Sequence, residues 1–410
     1  MWSIPPGEHV LDFEDLTGDL SMRIVLITLL AMGSLEAMVL GEDDRPAGSE
    51  LETITFQDSG RVRTISGRVL IKAVDGGLLV QERDGRLWTV TADVLERRES
   101  TGTRFRPEGS QALGNRLAAE LDKRLGPGFA VHRTRHYTIV SSADPRFAKW
   151  VGTLFERLRT AFLAYWKGRG VRLDAPEFPL VAIVLKDRQQ FAKYVQAKTR
   201  VDPTRVTGFY NILTNRIILY DIARVPGRPP AATAVEIQRR LGSAPQAIAT
   251  VVHEAAHQVA YNSGLNRRLA DNPLWLVEGM AVFFETPDLR SRSGWRTVGK
   301  VNLPRLVRFA DFVRRRRQAG SLQTLVESDR RFRDDQQAAD AYAEAWALNY
   351  FLLRTRKKSY GEYLERIGKK GVLRWDGPET RREDFEKAFG ADWDTLDRAF
   401  LKYMSRVKAR

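Results

Sequence analysis

The chain reads as an α+β protein in which a strand-rich N-terminal part precedes a mostly helical C-terminal half. From Leu51 to about Arg98, short runs such as "LETITF", "SGRVLIKAV", "GLLVQE" and "RLWTVT" alternate apolar and polar residues between "DSG", "DGG" and "DGR" turns. That is the period-2 signature of half-buried strands. From Ala244 onward nearly every apolar run has helical spacing instead. Strands followed by helices, rather than a strict alternation, point to α+β.

Residues 1–41 read as an N-terminal extension. The first segment, "MWSIPPGEHVLDFEDLTGDLS", is acidic, but "MRIVLITLLAMGSLEAMVLGEDD" from Met22 places an Arg before a short apolar run and small residues. This is signal-peptide grammar. The expectation is a true start at Met22, cleavage near Ala37 or Gly41, and export to the periplasm, the envelope or the outside. The run Ile24 to Met32 is too short to span a bilayer, and Glu36 interrupts any longer span, so a permanent anchor is not expected.

Residues 42–100 read as a small all-β module, an SH3-like barrel or a meander. Residues 101–126 read as linker and helix, with the polar stretch "ERRESTGTRFRPEGS" as the boundary and "GNRLAAELDKRL" as the helix. Residues 127–410 form the large domain. There "FAVHRTRHYTIVSS" is extended, "RFAKWVGTLFERLRTAFLAYWKGRG" is an amphipathic helix stopped by glycine, and "FPLVAIVL" is a buried strand. "DRQQFAKYVQAKT" is helical, and "VTGFYNILTNRIILYD" is a strand pair around an Asn-containing turn.

A chain of 410 residues with 43% hydrophobic content buries a substantial core. It has no cysteine, which excludes disulfides, thiolate zinc sites and cysteine nucleophiles together, so a metal must be held by His, Asp or Glu. The formal charge of +15 favours anionic partners such as an envelope or cell-wall polymer. The Arg314–Arg317 run spreads around a helix end rather than along one face, so it reads as solvated and no specific nucleic acid is expected.

Chemistry concentrates in "TVVHEAAHQVAYNSGL", Thr250 to Leu265. On a helix His253 and His257 lie one turn apart on one face, so both imidazoles can reach one ion. Ser243 is the expected cap, Pro245 sits in the first turn and Gly264 ends the helix. Glu254 is angled away from direct ligation and towards water at the ion. A catalytic zinc needs a third protein ligand with a fourth position open. Glu278, in "NPLWLVEGMAVFFETP", is the candidate, on a second helix with Asn272 as cap, Pro273 first and Pro287 as stop. Gly279 suggests a close approach of the two helices there. His132 and His136 also stand four apart, but on an extended segment they would lie about 13 Å from each other, too far for one zinc.

HEAAH with a downstream WLVEGMA resembles the gluzincin metallopeptidases. Through "NPLWLVEGMAVFFETPDLRS" and "DAYAEAWALNYFLL" it is more similar still to an uncharacterised family of exported bacterial proteins in the peptidase MA-like zincin group, over roughly Pro127 to Met404. The resemblance implies a zincin-like fold, one Zn²⁺ per chain held by His253, His257 and Glu278, and Glu254 as general base on a peptide or protein substrate.

Two departures matter. The thermolysin branch carries an acidic residue four positions after the ligand glutamate to orient a histidine, where this chain has Val282; Asp271 is then a candidate for holding an imidazole N–H. The aminopeptidase branch carries a Gly-x-Met-x-Asn segment that this chain lacks, which favours an endopeptidase. For the oxyanion, Tyr342 lies at a separation similar to that of the aminopeptidase tyrosine, with Tyr210 as a second candidate. The segment Gly208 to Tyr220 is expected to present an edge strand to substrate. The rival readings are a degenerate zincin that binds an envelope or wall polymer, and a zinc hydrolase of non-peptide amides.

Overall fold

The computed structural model describes residues 50–196, 206–225, 227–229, 231–286 and 295–408. The expected start at Met22, the signal segment and the helix stop at Pro287 lie outside the described residues. The chain is mixed α+β, with a β-rich N-terminal region and a mostly helical C-terminal half.

The first sheet contains β1 (Glu50–Asp58), β2 (Arg61–Lys72), β3 (Leu78–Glu82), β4 (Leu87–Val90) and β5 (Leu95–Arg104). It is an antiparallel meander whose last strand returns beside the first, in the order β4-β3-β2-β1-β5. Ile54, Phe56, Ile65, Val80 and Val90 fill its core. Most of "ERRESTGTRFRPEGS" is therefore strand rather than linker. Nearly every side chain of β5 is exposed, so no alternation marks it. Backbone pairing with β1 holds it instead, helped by the cross-strand Arg98–Glu52 ion pair at 2.5 Å.

The second sheet is interleaved with helices α1 (Ser110–Leu125), α2 (Pro145–Lys167) and α3 (Arg188–Gln196). Its strands are β6 (Ala130–Arg133), β7 (Tyr137–Ser141), β8 (Leu180–Leu185), β9 (Gly208–Asn211) and β10 (Arg216–Tyr220), ordered β6-β7-β8-β10-β9. β7, β8 and β10 are parallel, and the two edge strands are antiparallel to their neighbours. β8 is buried at every residue because helices cover both faces, which explains its unbroken apolar run. His132 lies in β6 and His136 in the turn before β7, where its Nδ1 meets Glu156 Oε2 at 2.7 Å.

The helical half comprises α4 (Ala234–Gly242), α5 (Pro245–Asn262), α6 (Leu274–Phe284), α7 (Leu303–Arg315), α8 (Ser321–Glu327), α9 (Arg330–Arg333), α10 (Ala338–Thr355), α11 (Lys357–Gly368), α12 (Pro378–Phe389) and α13 (Trp393–Met404). α5 packs on the sheet, and α6 and α10 pack face to face within the largest apolar cluster. Arg314 and Arg315 are exposed, as a solvated helix end should be, but Arg317 turns inward onto Glu344 and Asp397 with its side chain only 5% exposed. No described helix is long and apolar enough to cross a membrane.

Candidate metal centre

α5 begins at Pro245, whose fixed φ suits the first turn, and stops before Gly264, which takes the left-handed φ of 78°. Ser243 does not cap it. α4 ends only three residues before α5 starts, so Ser243 closes α4 by donating from Oγ to Arg240 O, and Ala244 precedes α5 without a side-chain cap. Nor does Asn272 cap α6. Its amide folds back to donate to Arg267 O and Ala270 O, Pro273 takes the cap position, and the amide of Leu274 donates to Asp329 Oδ1 at 3.0 Å. A residue distant in sequence thus supplies the cap, which local pattern cannot disclose.

These two helices bring the predicted ligands together. Nε2 of His257 lies 3.0 Å from Nε2 of His253, which lies 3.2 Å from Glu278 Oε2, and His257 Nε2 is 3.6 Å from Glu278 Oε1. All three residues are buried, and among the described residues they are the only group of three or more His, Cys, Asp or Glu side chains converging within such reach. Ligand atoms 2.0–2.1 Å from a tetrahedral ion sit about 3.3 Å apart, so the donors fit zinc without rearrangement. Among the described residues Oε1 of Glu278 has no hydrogen-bond partner, as a lone pair aimed at a cation would require. Burial resists charge on Glu278, yet His257 and His253 hold its pKa down to about 2.

The third-ligand helix supplies one more group that sequence reading missed. Glu285, at the end of α6, places Oε2 3.1 Å from His253 Nδ1, and Asn302 Nδ2 donates to its Oε1. A carboxylate on Nδ1 would fix the ring with its Nε2 lone pair towards an ion held by the three candidate ligands. Glu285 lies seven residues beyond Glu278, two turns along the same face, so its spacing in the sequence marks it as a neighbour of the site just as the four-residue position, Val282, is. Asp271 does not hold an imidazole: Arg381 Nε and Nη2 donate to it at 3.0 and 2.5 Å, and Lys370 lies at 3.7 Å.

Glu254 is also buried, and its Oε2 accepts the amide of Tyr210 on the edge strand β9 at 2.8 Å. Burial raises its pKa, against the lowering pull of His253, His257 and that amide. Tyr261 continues the His253–His257 stripe by four residues and stacks on Tyr210 with ring centroids 5.7 Å apart. Burial, Tyr210 and the charge of Glu278 push its phenol pKa up.

Tyr342 is buried in the helical core, edge-on to Phe332 and with Arg305 over its ring; neither neighbour belongs to the ligand set. Tyr210 spends its hydroxyl on Asn215 Oδ1 at 2.8 Å. Gly279 does permit a close approach, but by α10 rather than α5: a Cβ there would stand 2.5 Å from Ala345 O and 2.1 Å from Asn349 Nδ2.

A search of curated proteins finds no match to the chain. Residues 247–373, which contain Glu254, the three candidate ligands and Glu285, match a family described as "Protein of unknown function (DUF1570)".

Proposed function

We propose that this chain is a zinc-dependent metallopeptidase with a zincin-like catalytic domain, acting as an endopeptidase on peptide or protein substrates. The observation that carries this reading is the buried His253, His257 and Glu278 triangle with Glu254 beside it, held by the amide of an edge strand. Zinc, when bound, lowers the pKa of water towards about 7 and polarises a carbonyl. His253, His257 and Glu278 would hold the ion, and Glu285 sets the His253 ring. Glu254 takes the proton from the attacking water and returns it to the leaving amine, a role suited to a carboxylate whose pKa burial has raised. β9 lies at the sheet edge beside Glu254, where an extended substrate can add as a further strand. Export follows from the Met22 segment, and an anionic envelope polymer is a partner suited to the net charge of +15.

The test uses the full-length protein with zinc and a broad peptide library. The expected result is one zinc per chain and cleavage by the wild type. Glu254→Gln should keep the zinc and lose about 10²–10⁴-fold in rate, while His253→Ala should lose the zinc itself. A wild type as inert as Glu254→Gln, both loaded with zinc, would discard catalysis in favour of a binding role.

A further inference from the structure

Four segments meet beside the candidate centre: the β3–β4 turn of the N-terminal sheet, the β9–β10 hairpin, the loop joining the two ligand-bearing helices, and the strand-like stretch at Val372 and Leu373. Arg268, in the loop between α5 and α6, donates from Nη1 to Ile212 O at 3.1 Å and from Nη2 to Gly85 O at 2.8 Å. It therefore ties the β9–β10 hairpin to the N-terminal module through backbone carbonyls. The amide of Leu87 donates to Leu213 O at 2.8 Å, and Arg216 Nη2 pairs with the buried carboxylate of Asp84 at 2.5 Å. Beneath these polar links, Leu79, Leu87 and Leu269 form an apolar cluster with Leu213 and Leu373 against it.

Backbone conformation marks the same place. The described non-glycine residues with positive φ are Ser59, Asn215, Leu269 and Leu373, and the last three, at 59°, 58° and 59°, all lie at this junction. Asn tolerates that region, but a leucine adopts it only where surrounding contacts impose it. Here the two leucines are joined directly, Leu373 N donating to Leu269 O at 2.7 Å. The hairpin so gripped carries Tyr210, whose amide meets Glu254, and Asn215, whose carbonyl and side chain bind Gln258 and Asn262 of α5.

We propose that the N-terminal β-module is a brace for the candidate centre, and that Arg268 is the positioning residue through which it holds β9 against Glu254. The module is then part of the working site rather than a separate binding unit. This does not depend on the peptidase reading, because it concerns only the placement of β9 on Glu254.

Hydrogen exchange of the full-length protein tests it, comparing wild type with Arg268→Met, which keeps an apolar stem of related size and removes every donor. Exchange in peptides covering 208–213 should rise about tenfold or more, while β8 and the body of α10 keep their wild-type protection. Zinc bound per chain, measured on the same samples, should not change. Unchanged exchange over 208–213 overturns the proposal, and so does a rise of equal size throughout the protein, which would mark Arg268 as a general stabiliser. If Arg268→Met does not fold, Arg268→Lys decides by the same pattern, since an ammonium cannot reproduce the planar fork that spans both carbonyls.

Discussion

Glu278 on α6 and Glu344 on α10 stand on facing helices, both wholly buried, yet they solve the same electrostatic problem in opposite ways. Arg317 Nε lies 2.8 Å and Arg331 Nη1 2.7 Å from the Glu344 oxygens, and the Ser321 hydroxyl donates to the same carboxylate. Its charge is neutralised permanently from within. Among the described residues Glu278 has two imidazoles as its ion-pair partners, at 3.2 and 3.6 Å, and one of its oxygens has no hydrogen-bond partner. A divalent ion bound as proposed would add a fixed positive charge beside Glu278, which the two imidazoles supply only while protonated. Asp221 provides a third solution. Among the described residues no cation is held against it by a short contact, but it accepts the amide of Ala223 at 2.9 Å, and burial pushes its pKa up to about 6.

The sharpest way to break this distinction is to truncate both glutamates. Glu344→Ala leaves the Arg331 guanidinium without its carboxylate and Arg317 with Asp397 alone, and should lower unfolding stability in denaturant by about 3–5 kcal/mol, with one zinc per chain retained. Glu278→Ala should abolish stoichiometric zinc binding, while the metal-free protein unfolds at the same denaturant concentration as the metal-free wild type or a higher one. Identical signatures for the two variants would erase the difference between them.

A smaller effect is expected one layer out. Glu285→Gln keeps the volume and an acceptor near His253 Nδ1 but removes the charge, and should weaken zinc about 10–100-fold in a chelator competition. Unaltered affinity would mean that the His253 ring is oriented by packing alone. The smallest concerns Asp221. A carboxyl whose folded pKa exceeds its unfolded value of 3.8 holds its proton longer in the folded state, so stability falls as pH rises from about 4 to 6 and stays lower above that. Asp221→Asn should flatten that slope, stabilising the protein by roughly 1–2 kcal/mol at pH 7 and by nothing at pH 3. Equal gains at both pH values would point to packing rather than ionisation.

Much of the centre was legible along the chain because its geometry is local. Four-residue spacing puts two imidazoles on one helical face, and Pro245 and Gly264 bound that helix wherever it lies in space. The apolar residues around Glu278 likewise announced burial. What escaped notice was held by partners remote in sequence: the Asp329 cap of α6, the Arg317–Glu344 pair inside an arginine run that reads as surface, and the engagement of Asp271 by Arg381. β5 escaped for a different reason, because a strand with both faces exposed has no hydrophobic period to display.

The residues alone established an α+β chain with paired imidazoles on one helix and a glutamate on the next, since helical periodicity depends only on neighbours a few positions apart. Only the folded arrangement decided which buried carboxylates already have their counter-charge, which one orients His253, and how the β-module grips the strand beside Glu254. Those outcomes depend on contacts between segments tens of residues apart or more, where electrostatic and packing energies act through space and leave no repeating mark in the chain.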